Sequence, residues 1–172
     1  GQMTLQFARL SGAYPIIAVD LDEERLALAR TSGATEVIAA AREDVVRRVR
    51  ELTRGAGAEV VFHCAQVASI LQTALECAAD RGTVVLTGSP PGTATITLKE
   101  QLLRKELTLT GTYESGLNEG HVYWTWTRAR NRRACLRLLA TGELRLRHLL
   151  THVVPAAQAP AVYQQVLRGS AG

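Results

Sequence analysis

Four kinds of side chain in this sequence could do chemistry: one carboxylate at a strand tip, four histidines, three cysteines and a serine in a glycine-proline turn. The carboxylate is Asp20. It ends the run Ile16-Ile17-Ala18-Val19-Asp20 and precedes Leu21-Asp22-Glu23-Glu24-Arg25-Leu26. A short β-rich apolar run that passes through acid into helical spacing reads as a strand running into a helix. In an open α/β sheet, ligands bind at the C-terminal tips of strands. A carboxylate there can accept two hydrogen bonds from a ribose diol and would repel an additional phosphate on that ribose. The competing reading makes Asp20 a helix-start or turn residue.

The other groups assemble no catalytic set. The histidines are His63, His121, His148 and His152. Only His148 and His152 stand four apart, a spacing that could share a helix face and hold a metal, but no third ligand accompanies them. His63 and Cys64 are neighbours on a strand pattern, so their side chains leave opposite faces and cannot form a thiol-base dyad. His63 reads as a satisfied internal histidine or one near a bound ligand. Ser89 has no base partner, and the glycine pattern of a hydrolase nucleophile turn is lacking. Cys64, Cys77 and Cys135 show no metal-ligand spacing and read as reduced core residues. The sequence therefore offers no catalytic residue and no metal ligand set.

The elements that must position these groups alternate. A helix ends near Ser11-Gly12-Ala13. Strand patterns follow at 14–19, 36–39, 59–65, 83–87 and 107–112, with helical patterns at 23–32, 43–53 and 69–79 between them. The near-continuous apolar residues of Val60-Val61-Phe62 and Val84-Val85-Leu86 suit strands covered on both faces. Asp80-Arg81-Gly82 reads as a turn. Strand, helix and glycine turn in repetition predict a doubly wound parallel sheet. After Thr112 the chain changes character, with Tyr123, Trp124 and Trp126 close together. An arginine-rich helix follows at 127–141 and a last short helix at 155–167.

Composition excludes several classes. The chain has 172 residues, 47% hydrophobic and 21% charged, as in an ordinary globular domain. The net charge of +4 is modest. The arginines between Arg128 and Arg137 come without a nucleic-acid-binding motif, so no nucleic-acid partner is expected. No run of about 18 apolar residues is present, so no membrane span is expected. The opening residues do not resemble a signal peptide, and a cytoplasmic location is expected.

Several segments in this order resemble the nucleotide-binding half of the medium-chain dehydrogenase/reductases, the zinc-type alcohol, polyol and threonine dehydrogenases. They are Gly1 with Gln6-Phe7-Ala8-Arg9 and Ser11-Gly12-Ala13; Val19-Asp20 with Glu24-Arg25-Leu26 and Gly33-Ala34; Gly82-Thr83-Val84-Val85 with Thr87-Gly88; Gly111-Thr112-Tyr113; and Leu150-Thr151-His152 with Pro155 and Ala159. The resemblance implies a Rossmann-like fold that binds NAD. It makes Gly1 the last glycine of the pyrophosphate loop, with the first helix aimed at phosphate. It makes Asp20 the residue on the adenosine ribose, favouring NAD, with Arg25 nearby. Cys64 and Ala65 would line the adenine or ribose side. Thr87, Gly88 and Ser89 would offer backbone groups to the nicotinamide carboxamide, and Thr112 and Tyr113 would close that pocket. Two features depart from the family pattern: Gln66, where glycine is frequent, and the aromatic segment 123–126.

The same resemblance implies residues 1–142 as the nucleotide-binding domain and 143–172 as the return toward a catalytic domain. The first strand, the first glycines and that catalytic domain, with any zinc, would lie outside this sequence. The expected whole is an oxidoreductase moving hydride between a secondary alcohol or polyol and NAD, as a homodimer or tetramer. The alternatives are a zinc-independent quinone or enoyl reductase using NADPH, which the charge of Asp20 opposes, and a non-catalytic nucleotide-binding module.

Overall fold

The computed structural model describes residues 1–112 and 126–168. Tyr113, His121, Tyr123 and Trp124 lie outside the described residues. In chain order the elements are α1 (Gln2–Leu10), β1 (Ile17–Asp20), α2 (Glu23–Ser32), β2 (Glu36–Ala39), α3 (Val45–Leu52), β3 (Ala58–His63), α4 (Leu71–Cys77), β4 (Ala78–Leu86), β5 (Thr108–Gly111), α5 (Arg128–Ala140) and α6 (Ala159–Leu167). Alternation of strand and helix is what the periodicities predicted, and every strand pairing is parallel.

The strands hydrogen-bond in two groups, β2-β1 and β3-β4-β5. This order matches a doubly wound sheet of order 3-2-1-4-5-6 in which the position between β1 and β3 holds no described strand. Val19, Val60 and Phe62, on the two strands that border this position, are exposed. The groups nonetheless share a core. Ile17 of β1 and Val61 of β3 pack on one cluster with Ile38, Val49 and Cys77. A second cluster holds Leu75, Ala78 and Val84 under Val61, Leu107 and Leu109. The fold is therefore the expected doubly wound α/β sheet.

Local chemistry sets the boundaries. Asp22 caps α2, accepting from the backbone N–H groups of Glu24 (2.8 Å) and Arg25 (3.2 Å). Gly33 closes that helix with φ 114°, a left-handed turn that a side chain would resist. β1 starts later than the apolar run suggested. Pro15 has no N–H, and Ile16 turns its N–H to the Thr35 hydroxyl at 2.9 Å. α4 stops two residues short of the expected 79. Two carbonyls of its last turn, those of Leu75 and Glu76, together with that of Ala78, accept hydrogen bonds from Lys105 Nζ at 2.9, 3.0 and 3.0 Å. The chain then enters β4 directly. The expected turn at Asp80-Arg81-Gly82 is a kink inside that strand, with Arg81 at φ 60°.

The segment after α5 is fastened to α1 and α2. Gln6, 2% exposed, donates to Arg145 O and accepts from Arg145 N, both at 2.8 Å. Arg9 donates to Glu143 O at 2.8 Å, and Ser32 Oγ meets His148 Nε2 at 2.8 Å. Leu144 is buried beside these contacts.

Candidate functional site

Parallel strands end on one edge, so the tips of β1, β3, β4 and β5 share it. Those of β3, β4 and β5 are tied together there by backbone bonds. Thr87 N and Gly88 N donate to His63 O at 3.1 and 2.9 Å, and Thr112 N donates to Leu86 O at 3.0 Å. Gly88 is required by this closure. A Cβ on it would lie 2.5 Å from Ala65 O and 3.0 Å from the Cys64 carbonyl carbon. The structure thus brings Cys64, Ala65, Thr87 and Gly88 together, with exposed Ser89 following. Thr112 turns its hydroxyl back to Leu86 O at 3.3 Å.

α1 bridges this group and the tip of β1. Thr4 Oγ1 lies 3.6 Å from Cys64 Sγ, while Gln2 Nε2 donates 2.9 Å to Arg25 O in the first turn of α2. The amino end of α1 therefore stands between Asp20 and Arg25 on one side and Cys64 and Thr87 on the other. Among the described residues no side chain caps it, and the first N–H groups of the helix are open to an outside acceptor. Asp20 is half-buried. Its Oδ1 accepts from Asp22 N at 3.1 Å, and it takes part in no ion pair among the described residues. A carboxylate, an uncapped helix terminus and a close-packed pair of strand tips lie in series. That order suits the ribose, pyrophosphate and far half of a dinucleotide.

Cys64 differs from the expected core cysteine. It is half-buried, and its thiol lies 3.1 Å from the Thr87 hydroxyl. Burial pushes that thiol up, and its hydrogen bonds with Thr87 and Thr4 pull it down. Cys77 is the core cysteine, its pKa pushed up by burial from 9.0 to about 11. His63 is buried at 3% exposure, and its Nε2 lies 3.2 Å from Val67 O while Nδ1 has no partner among the described residues. His63 and Cys64 make separate contacts, as opposite strand faces require. His148 and His152 do not meet over a metal: His148 bonds Ser32 and His152 bonds Thr151.

A family model described as zinc-binding dehydrogenase matches residues 1–128. The chain belongs to the zinc-binding dehydrogenase family. It is 28% identical over 172 residues to an L-threonine 3-dehydrogenase of Bacillus licheniformis, covering all of this chain and 46% of that protein. The L-threonine 3-dehydrogenase of Pyrococcus horikoshii is 32% identical over 152 residues, 88% of this chain and 40% of the relative. Among solved structures, the alcohol dehydrogenase TADH from Thermus sp. ATN1 superposes with a TM-score of 0.81 at 30% identity, over 99% of this chain and 46% of that one. The chain thus spans about half the length of the curated relatives it matches.

For a member of this family two cofactors are at issue. The residues fit a dinucleotide, on the uncapped helix terminus and the cradle that a Gly88 Cβ would fill. Among the described residues no group of three His, Cys, Asp or Glu side chains could hold zinc. Gln66 is exposed beyond the tip of β3. The residues that sequence reasoning missed are Gln2, Thr4 and Arg42. Gln2 and Thr4 could have been found as polar positions in the first turn after Gly1. Arg42 carried no signal, because its partner Glu23 lies across a strand connection.

Proposed function

We propose that this chain is the NAD-binding part of a dehydrogenase that moves hydride between a secondary alcohol or polyol and the nicotinamide. The observation that carries the reading is the carboxylate of Asp20 at the β1 tip, in series with the open end of α1. Bound NAD would supply the hydride-accepting ring. The chain's own residues bind and orient it. Asp20 accepts from the ribose diol, with Arg25 beside the same ribose. The first N–H groups of α1, beginning at Gly1, face the pyrophosphate. Cys64 and Ala65 line the wall after β3. Backbone groups of Thr87, Gly88 and Ser89 meet the carboxamide, and Thr112 with Tyr113 borders the ring. The outer edge of β5, unpaired among the described residues, supports a homodimer or tetramer. We read 1–142 as the nucleotide-binding domain and 143–172 as the return segment. Zinc, in this reading, belongs to residues beyond the described set.

A metal-free reductase that uses NADPH is the second reading. Asp20 opposes it, since a carboxylate beside the 2′ position repels phosphate. Fluorescence titration of the purified protein with NADH and NADPH tests the choice. Tighter NADH binding is expected; binding of neither, or a preference for NADPH, overturns the proposal.

A further inference from the structure

The β1 tip carries two arginines that are equipped to bind a phosphate, Arg25 and Arg42. Both are engaged. Arg25 Nε lies 3.9 Å from Asp22 Oδ2, while Asp22 Oδ1 caps the helix. Arg42 Nη2 bonds the carboxylate of Glu23, the first residue of α2. The backbone aims Arg42 there. Ala40 N donates to Asp20 O at 3.0 Å, which seats the end of β2 against Asp20. Arg42 N and Glu43 N both return to Ala39 O at 2.9 Å, and Glu43 Oε1 accepts from Ala39 N at 2.9 Å. The tight turn that results brings the Arg42 side chain to Glu23 at the start of α2.

We infer that Asp22 and Glu23 determine cofactor selectivity together with Asp20, by occupying the two guanidiniums that would otherwise receive a ribose 2′-phosphate. The inference rests on the dinucleotide reading above. Asp20 alone repels the phosphate. Asp22 and Glu23 remove its attractive partners, which is a separate effect and needs no contact with the cofactor. Asp20, Asp22, Glu23 and Glu24 bring four carboxylates to the segment that holds Arg25, against the two guanidiniums of Arg25 and Arg42. Both pairs are exposed, at 58% and 40% for Arg25 and Asp22 and at 70% and 59% for Arg42 and Glu23. Each therefore contributes modestly and depends on salt.

The test measures NADH and NADPH dissociation constants at low salt for the full-length protein and for Glu23→Gln, Asp22→Asn and both together. Asparagine caps a helix as well as aspartate does, so α2 is preserved. Each change is expected to lower the NADPH-to-NADH ratio of dissociation constants by about two- to fivefold, the size of an exposed ion pair. Adding Arg42→Ala to Glu23→Gln is expected to return the ratio to that of the unaltered protein. An unchanged ratio in Glu23→Gln, or a gain that persists without Arg42, overturns the inference while leaving the dinucleotide reading standing. Failure of the unaltered protein to bind either cofactor overturns both.

Discussion

Replacing Gly88 by alanine tests whether the β3 and β4 tips close as described. The added Cβ would stand 2.5 Å from Ala65 O and 3.0 Å from the carbonyl carbon and oxygen of Cys64. All three neighbours are backbone atoms, so no flexible side chain can yield. Ordinary contact begins near 3.4 Å, and the tips must separate by about 1 Å. The bonds at risk run from Thr87 N and Gly88 N to His63 O. Overpacking against backbone costs about 1–3 kcal/mol. For a chain of this length that lowers Tm by roughly 2–4 °C per kcal/mol. The same displacement moves the wall proposed for the nicotinamide, and NADH binding should weaken about tenfold, or 1.4 kcal/mol. Thermal unfolding and NADH titration are read on the same sample. Ser89→Ala, at the exposed next position, serves as control and should shift stability by less than about 0.5 kcal/mol. A Gly88→Ala protein that melts with the unaltered one and binds NADH equally would refute the closure of the tips.

Two further outcomes follow from buried groups. Gln6→Ala should destabilise by about 1 kcal/mol, because both backbone groups of Arg145 lose their partner in a partly buried site. Hydrogen exchange at residues 143–150 should accelerate more than exchange in β4, and equal acceleration would contradict a local fastening. For Cys77 the folded state holds the thiol proton up to about pH 11, against 9.0 ordinarily. Its stabilising effect is complete below pH 9.0 and is lost as pH rises toward 11, because only the unfolded chain gains a thiolate there. Allowing for solvent screening, the loss is about 1–2 kcal/mol. Urea unfolding at pH 8.5 and pH 10.5 should show a steeper decline for the unaltered protein than for Cys77→Ala.

What the sequence determined by itself was the alternation of elements and the location of one edge. Apolar periodicity marks which residues face a core, and that is enough to set α2 at Glu23–Ser32 and β2 at Glu36–Ala39, bounded by Asp22 and Gly33. It also put Asp20 at a strand tip, since an acid ending an apolar run is a local signal. The tertiary structure decided everything that depends on partners distant in the chain. Lys105 ends α4 from nearly thirty residues away. The buried amide of Gln6 is satisfied by Arg145, 139 residues on. Cys64 left the expected core for hydroxyls on α1 and after β4. Arg42 reached Glu23 through a turn whose direction no local pattern records. Periodicity encodes the solvent preference of each face. Satisfying buried polar groups and pairing charges requires the chain to be folded before their partners exist.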